Sequence, residues 1–157
     1  MGLNIRPVRS DDLDQLVALC AEHAEYEKMS YSDNGQQQRL QIALFSQPAR
    51  LFIWVVADDN DDLHGYLSVT IDYSTWSAAQ FVYMDCLYLT ADLRGQGIGR
   101  QLMNTLIDFA EQQQCAEIQW QTPPDNQLGI GFYHHIGAAS LTKIRFTLRQ
   151  GSRLWHV

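Results

Sequence analysis

Three glycines at alternate positions, flanked by two arginines, make Leu93-Arg94-Gly95-Gln96-Gly97-Ile98-Gly99-Arg100 the stretch of this chain with the plainest chemistry. A turn without side chains lets several backbone N–H groups converge on one small anion. It follows an apolar run, Phe81 to Leu89, and opens a helical pattern, Gln101 to Gln114. The unpaired N–H groups and positive dipole end of such a helix reinforce the turn. Arg94 and Arg100 add fixed charge on either side, so the implied chemistry is capture of a diphosphate. A P-loop would place Lys-Ser or Lys-Thr after the last glycine, where Arg100-Gln101 stands, leaving no hydroxyl for magnesium. A dinucleotide fingerprint would need G-x-G-x-x-G and an acid closing the next strand, whereas Glu117 opens it. The bland alternative is a glycine-rich turn that binds nothing.

The elements that must position this turn follow from hydrophobic period. Leu3 to Val8 is expected as a first strand. Ser10 is expected to cap a helix in which Leu13, Leu16, Val17, Cys20 and Ala24 recur at helical spacing, fading near Lys28. Gln36 to Phe45 reads as a second helix, and Leu51 to Ala57 with Leu63 to Tyr73 as a strand pair across the turn Asp58-Asp59-Asn60-Asp61-Asp62, whose acids are expected in solvent. Phe81 to Leu89 is apolar almost throughout, as a central strand requires. After the glycine turn, Ile98, Leu102, Leu106, Phe109 and Ala110 share a helix face. Glu117 to Gln121 is expected as a fifth strand, Gln127 to Ile136 as a short helix ended by Gly137, and Leu141 to Leu148 as a last strand. The order βααβββαβαβ in one domain spanning residues 1–157 is mixed α/β.

Composition narrows the function. With 157 residues and 46% apolar content, the chain can bury a core of its own. It has no apolar run of the roughly 18 residues that a membrane span needs. The N-terminus, Met1 to Arg6, carries no signal-peptide pattern and no myristoylation serine or threonine. Cys20, Cys86 and Cys115 lack metal-ligand spacing and are expected as reduced thiols of a cytoplasmic protein, and no metal site is expected. His134 and His135 are adjacent on a helix and point about 100° apart, which suits a metal badly. The net charge is −7; residues 1–62 hold 11 acids and 5 bases, residues 63–157 hold 7 and 6. With no basic face, a nucleic-acid partner is not expected. An acidic surface does suit a small cationic substrate.

A second block, Asn126 followed by Gly131-Phe132-Tyr133 and Gly137-Ala138, stands about 30 residues past the glycine turn. Together the two motifs resemble the pyrophosphate loop and coenzyme A-binding helix of the GNAT (Gcn5-related) N-acetyltransferases, and the resemblance runs from Ile5-Arg6-Pro7 to about Leu148. Within that family the chain is similar to the diamine (spermidine/spermine) acetyltransferase branch, through Tyr26-Glu27-x-Met29, Tyr73-x-x-Trp76, Tyr83-Met84-Asp85 and Arg94-Gly95-x-Gly97-Ile98-Gly99. The branch typically has Tyr-Leu-Glu-Asp where this chain has Tyr83-Met84-Asp85-Cys86, so the carboxylate is kept but shortened by one methylene.

The resemblance implies a GNAT fold, with a mixed sheet of about six or seven strands, about four helices, and a splay between the fourth and fifth strands. It implies acetyl-CoA as cosubstrate, its pyrophosphate on the Arg94–Arg100 loop, its pantetheine on the strand-4 backbone at Leu87, Tyr88 and Leu89, and Asn126 bonding the pantetheine arm. A backbone N–H near Leu87 is then placed to stabilise the oxyanion of acyl transfer. The attacking amine must be neutral, although free alkyl amines have a pKa of about 10. Asp85 is the implied base, acting through water, and Tyr133 the implied general acid for the departing thiolate. Tyr26, Glu27, Trp76 and Asp85 are the implied acceptor site, where a carboxylate and an aromatic face would hold a cation. Asp85 is also compatible with a structural carboxylate, and Tyr26 and Trp76 with ordinary packing.

The expected activity is N-acetylation of a small cationic, polyamine- or diamine-like amine by direct transfer in a ternary complex. Alternatives within the chemistry are an amino acid, an aminoglycoside or a protein amine as acceptor; outside it, a non-catalytic acyl-CoA sensor. A homodimer is expected from the resemblance. The tail Arg149 to Val157, with Trp155, suits either a loose end or an interface.

Overall fold

The computed structural model describes residues 2–151. Its sheet consists of β1 (Leu3–Pro7), β2 (Phe52–Asp58), β3 (Leu63–Ser74), β4 (Ala79–Leu89) and β5 (Ile118–Trp120), lying side by side in that order. The first four pair antiparallel, and β5 runs parallel to β4. α1 (Leu13–Tyr26) and α2 (Gln36–Phe45) cover one face, α3 (Ile98–Gln112) covers the other, and α4 (Gln127–His135) follows β5.

Each helix sits where its apolar stripe sends it. On α3, Ile98, Leu102, Met103, Leu106, Phe109 and Ala110 are all buried and pack on Val56, Leu67, Val69, Val82 and Met84 of the sheet. On the opposite face, Leu13, Leu16 and Leu19 of α1 meet Ile53, Val55, Tyr66 and Tyr88. Full burial of such a side chain is worth about 1.5–3 kcal/mol, so both layers are held mainly by apolar contact. β4 contributes to both cores, which is why it reads as apolar throughout.

The start of α1 is fixed differently from the expectation at Ser10. Ser10 opens a 3-10 turn, and its hydroxyl bonds Gln41 Oε1 of α2 at 2.8 Å. The Asp12 carboxylate accepts the Arg9 N–H at 2.6 Å and is gripped by the buried Arg6 guanidinium at 2.7 and 3.0 Å. Arg6 reaches on to Asp61 in the β2–β3 turn at 2.9 Å. That turn is therefore more than a solvated acidic loop: Asp61 also meets Arg9, and Asp58 pairs with His64 at 3.1 Å.

Two features of the sheet bear on the expectation. The described residues contain five strands rather than six or seven, because Leu141 to Leu148 has the alternation of a strand without a partner to pair with. It takes up no regular secondary structure and is exposed, with Leu141, Ile144, Phe146 and Leu148 each at least 72% accessible. Alternation marks a segment that can join a sheet, but a ladder needs a second edge. The second feature follows the expectation: β5 pairs with β4 only from Val82↔Ile118 to Met84↔Trp120, and β4 continues on that side to Leu89 without it. This is the expected splay. Trp155 lies outside the described residues.

Candidate active site

The splay opens into a cavity of about 660 Å³ between β4, the glycine turn, α4 and the end of α1. Its floor is the unpaired stretch of β4. The β3–β4 register jumps from Ser68↔Cys86 to Val69↔Met84, so Asp85 is the extra residue of a bulge. Bulges re-aim a side chain, and here Asp85 lines the cavity beside Leu87, Tyr88 and Leu89.

The glycine turn forms one end. Gly95 and Gly97 have φ of +77° and +82°, in the left-handed region that side chains disfavour, and Gly97 is the N-cap of α3. A Cβ on either would meet nothing within 4 Å, so backbone conformation, rather than space, demands glycine there. Gly95, Gly97, Gly99, Arg94 and Arg100 all line the cavity. Gln96 and Ile98 do not: the Gln96 amide turns back to the Asp92 carbonyl at 2.6 Å, and Ile98 is buried in the α3 core. Arg94 bends inward, its Nε donating to the Leu89 carbonyl at 3.0 Å and its guanidinium 4.5 Å from the centre of the Tyr26 ring.

The opposite wall is built around Asn126, the N-cap of α4. Its Oδ1 accepts from Gly129 N–H at 3.2 Å and from the Tyr26 hydroxyl at 3.0 Å, and its Nδ2 donates to Thr122 Oγ1 at 2.8 Å. A Cβ at residue 129 would lie 2.3 Å from Asn126 Nδ2, so the glycine makes room for the cap. Tyr133, two turns on, lines the cavity with its ring edge-on to Trp120 at 5.2 Å. Burial pushes its phenol up to about 12. At neutral pH Tyr133 is thus a proton donor, the state a general acid needs.

Tyr26 and Glu27 bring the end of α1 to the same cavity, which adjoins a smaller hollow of about 330 Å³ reaching Lys28 and Asp125. Trp76 is not brought there. It stands fully exposed in the β3–β4 turn and lines neither space. It was expected at the site from the resemblance of Tyr73-x-x-Trp76 to the diamine acetyltransferase branch, and the long β3–β4 hairpin carries it away. Conversely, His23, which is not among the residues expected at the site, stands in the cavity wall with both ring nitrogens bonded. The available signal was helical spacing: His23 lies three and four residues before Tyr26 and Glu27, on one face of α1. Thr122, which steadies Asn126, had no recognisable signal because its partner is four residues away across a helix cap. Among the described residues no three His, Cys, Asp or Glu side chains cluster as metal ligands.

The geometry therefore joins an anion cradle, an open strand edge, a protonated phenol and two carboxylates around one cavity. Residues 13–138 match the model of the acetyltransferase (GNAT) family, and the chain belongs to that family. It is an acetyl-transfer enzyme of α/β GNAT fold. Over 150 residues it is 26% identical to the thialysine N-epsilon-acetyltransferase of Caenorhabditis elegans, covering 94% of this chain and 91% of that one. The mouse thialysine N-epsilon-acetyltransferase is likewise 26% identical, over 88% of this chain and 85% of its own. Among solved structures, an integron cassette protein from V. cholerae superimposes with a TM-score of 0.75 at 24% identity, covering 96% and 94% of the two chains.

Proposed function

We propose that this enzyme moves the acetyl group of acetyl-CoA to a primary amine of a small cationic acceptor, polyamine- or diamine-like, in a ternary complex. The observation that carries the reading is that Glu27, Asp85 and Tyr133 line the cavity that the Arg94–Arg100 cradle and the free edge of β4 also line. Acetyl-CoA supplies an activated acyl thioester. The residues present fit it: amides and arginines for a diphosphate, the edge of β4 around Leu87 that β5 leaves unpaired for an amide-bearing arm, and Asn126 for one further hydrogen bond.

For the amine, Glu27 offers a fixed negative charge and Asp85 a carboxylate on the bulge, from which a water can carry off the ammonium proton. Tyr133 holds a proton for the departing thiolate. The relatives are named for acetylating thialysine, a lysine analogue. Lysine-like side chains and polyamines share a terminal ammonium on a flexible alkyl chain, which supports an acceptor of that shape. The working unit in this reading is a cytoplasmic homodimer. The exposed segment 139–149 supports the dimer: its alternating apolar side chains and unpaired backbone match what the bare outer edge of β5 in a second copy requires.

The deciding experiment is acetyl-CoA-dependent thiol release with spermidine, diamines, thialysine, aminoglycosides and short peptides. Saturable turnover with a small cationic amine, abolished by competition with another of its class, supports the proposal. Binding of acetyl-CoA without turnover of any acceptor would overturn it in favour of a sensor.

A further inference from the structure

His23 lines the cavity, yet the reaction described so far gives it no task. Its side chain is 13% accessible. The ring stacks on Tyr88 with centroids 5.0 Å apart and planes at 21°. Nδ1 lies 2.9 Å from the Tyr66 hydroxyl and Nε2 lies 3.2 Å from Glu27 Oε1.

The partners determine the tautomer. Tyr66 is almost wholly buried, and burial drives its phenol far above the usual range, so it is protonated and able to donate. The Glu27 carboxylate can only accept. A ring that accepts from Tyr66 at Nδ1 must carry its proton on Nε2, aimed at Glu27. The opposite tautomer would set a lone pair against a carboxylate. Burial also lowers the His23 pKa below 6.5, with Arg94 acting in the same direction and Glu27 and Asp85 opposing, so the ring is neutral at neutral pH.

A neutral donor does something that lysine or arginine in this place could not. It fixes Glu27 without cancelling its charge. Among the described residues, the second Glu27 oxygen has no hydrogen-bond partner, and Glu27 itself lines both the cavity and the adjoining hollow. From this arrangement we propose that His23 is a positioning residue for acetyl transfer: it ties one oxygen of Glu27 and so presents the other, fully charged, to the ammonium end of the acceptor. The proposal rests on Glu27 holding the acceptor, as argued above. Its physical basis is pre-organisation, since a glutamate that is already oriented loses less freedom when the cation arrives.

The test uses the full chain, saturating acetyl-CoA, and spermidine and thialysine as acceptors. His23→Leu should raise the amine KM about tenfold and leave the acetyl-CoA KM unchanged. His23→Gln, whose amide N–H can still donate to Glu27, should recover most of the loss. Glu27→Gln should raise the amine KM at least as much, and adding His23→Leu to it should change nothing further, because residues acting through one another are non-additive. Nitrogen-detected NMR of the imidazole at neutral pH should show the Nε2–H tautomer. Should His23→Leu fail to fold, Tyr66→Phe removes the hydroxyl alone and should raise the amine KM about threefold. Independent, multiplying effects of His23→Leu and Glu27→Gln, or an Nδ1–H tautomer, would overturn the positioning role. An unaltered amine KM in Glu27→Gln, with the Nε2–H tautomer present, would instead show that the acceptor role of Glu27 is wrong and remove the ground beneath the proposal.

Discussion

At the scale of single residues, the proposed roles can be tested one side chain at a time. Tyr133 keeps its proton because it is buried, and Tyr133→Phe removes that proton while keeping the ring against Trp120. The expected result is a fall in kcat of about 10²-fold with the acetyl-CoA dissociation constant, measured by calorimetry, nearly unchanged. Asp85 stands on the bulge at the cavity floor, and Asp85→Asn should abolish the acidic limb of the pH–rate profile; an unaltered limb would exclude it as the base. His23 makes a separate prediction about stability. Its pKa is held below 6.5 in the folded protein, so as pH falls from about 6.5 the unfolded chain takes up a proton that the folded one refuses. Stability therefore declines on acidification through that window, and His23→Gln should flatten the pH dependence of the thermal midpoint there. That Tyr133 and Asp85 would share one cavity was legible because each lies in a motif that carries the family resemblance. For His23 only the helical spacing to Tyr26 and Glu27 was legible; its contact with Tyr66, 43 positions away in sequence, was not.

The elements show why some motifs hold their place and others do not. Gly97 reads correctly from sequence because a left-handed residue at a helix N-cap is a local requirement. Gly97→Ala should cost about 1 kcal/mol of stability, visible as a lowered thermal midpoint, and should weaken acetyl-CoA binding by moving the amides of the cradle. The β4 run, the face of α3 and the bounds of α2 were likewise set by local period. Local period says nothing about what lies across the sheet. The Arg6–Asp12–Asp61 cluster joins three segments far apart in the chain, and it displaced the simple Ser10 cap from its expected role. The bulge at Asp85 comes from the register of β3, not from the β4 residues. Trp76 shows the same limit: the motif Tyr73-x-x-Trp76 carried the resemblance, but the hairpin direction takes the side chain into solvent and away from the cavity.

For the whole molecule, the mixed sheet and its splay followed from family resemblance, while the unpaired segment 139–149 could not be foreseen, since Leu141 to Leu148 has the pattern of an ordinary strand. Its four large apolar side chains are each at least 72% accessible, an amount that a single copy leaves in water. In the proposed homodimer these side chains find cover, and light scattering should give twice the chain mass; Phe146→Asp should return a single-chain mass while keeping the helices and sheet intact by circular dichroism. If the arm is buried only when two copies meet, part of the folding free energy is a second-order quantity. The melting temperature would then climb with protein concentration rather than remain constant, and a sample diluted far enough would lose heat resistance without any change in pH, salt or sequence.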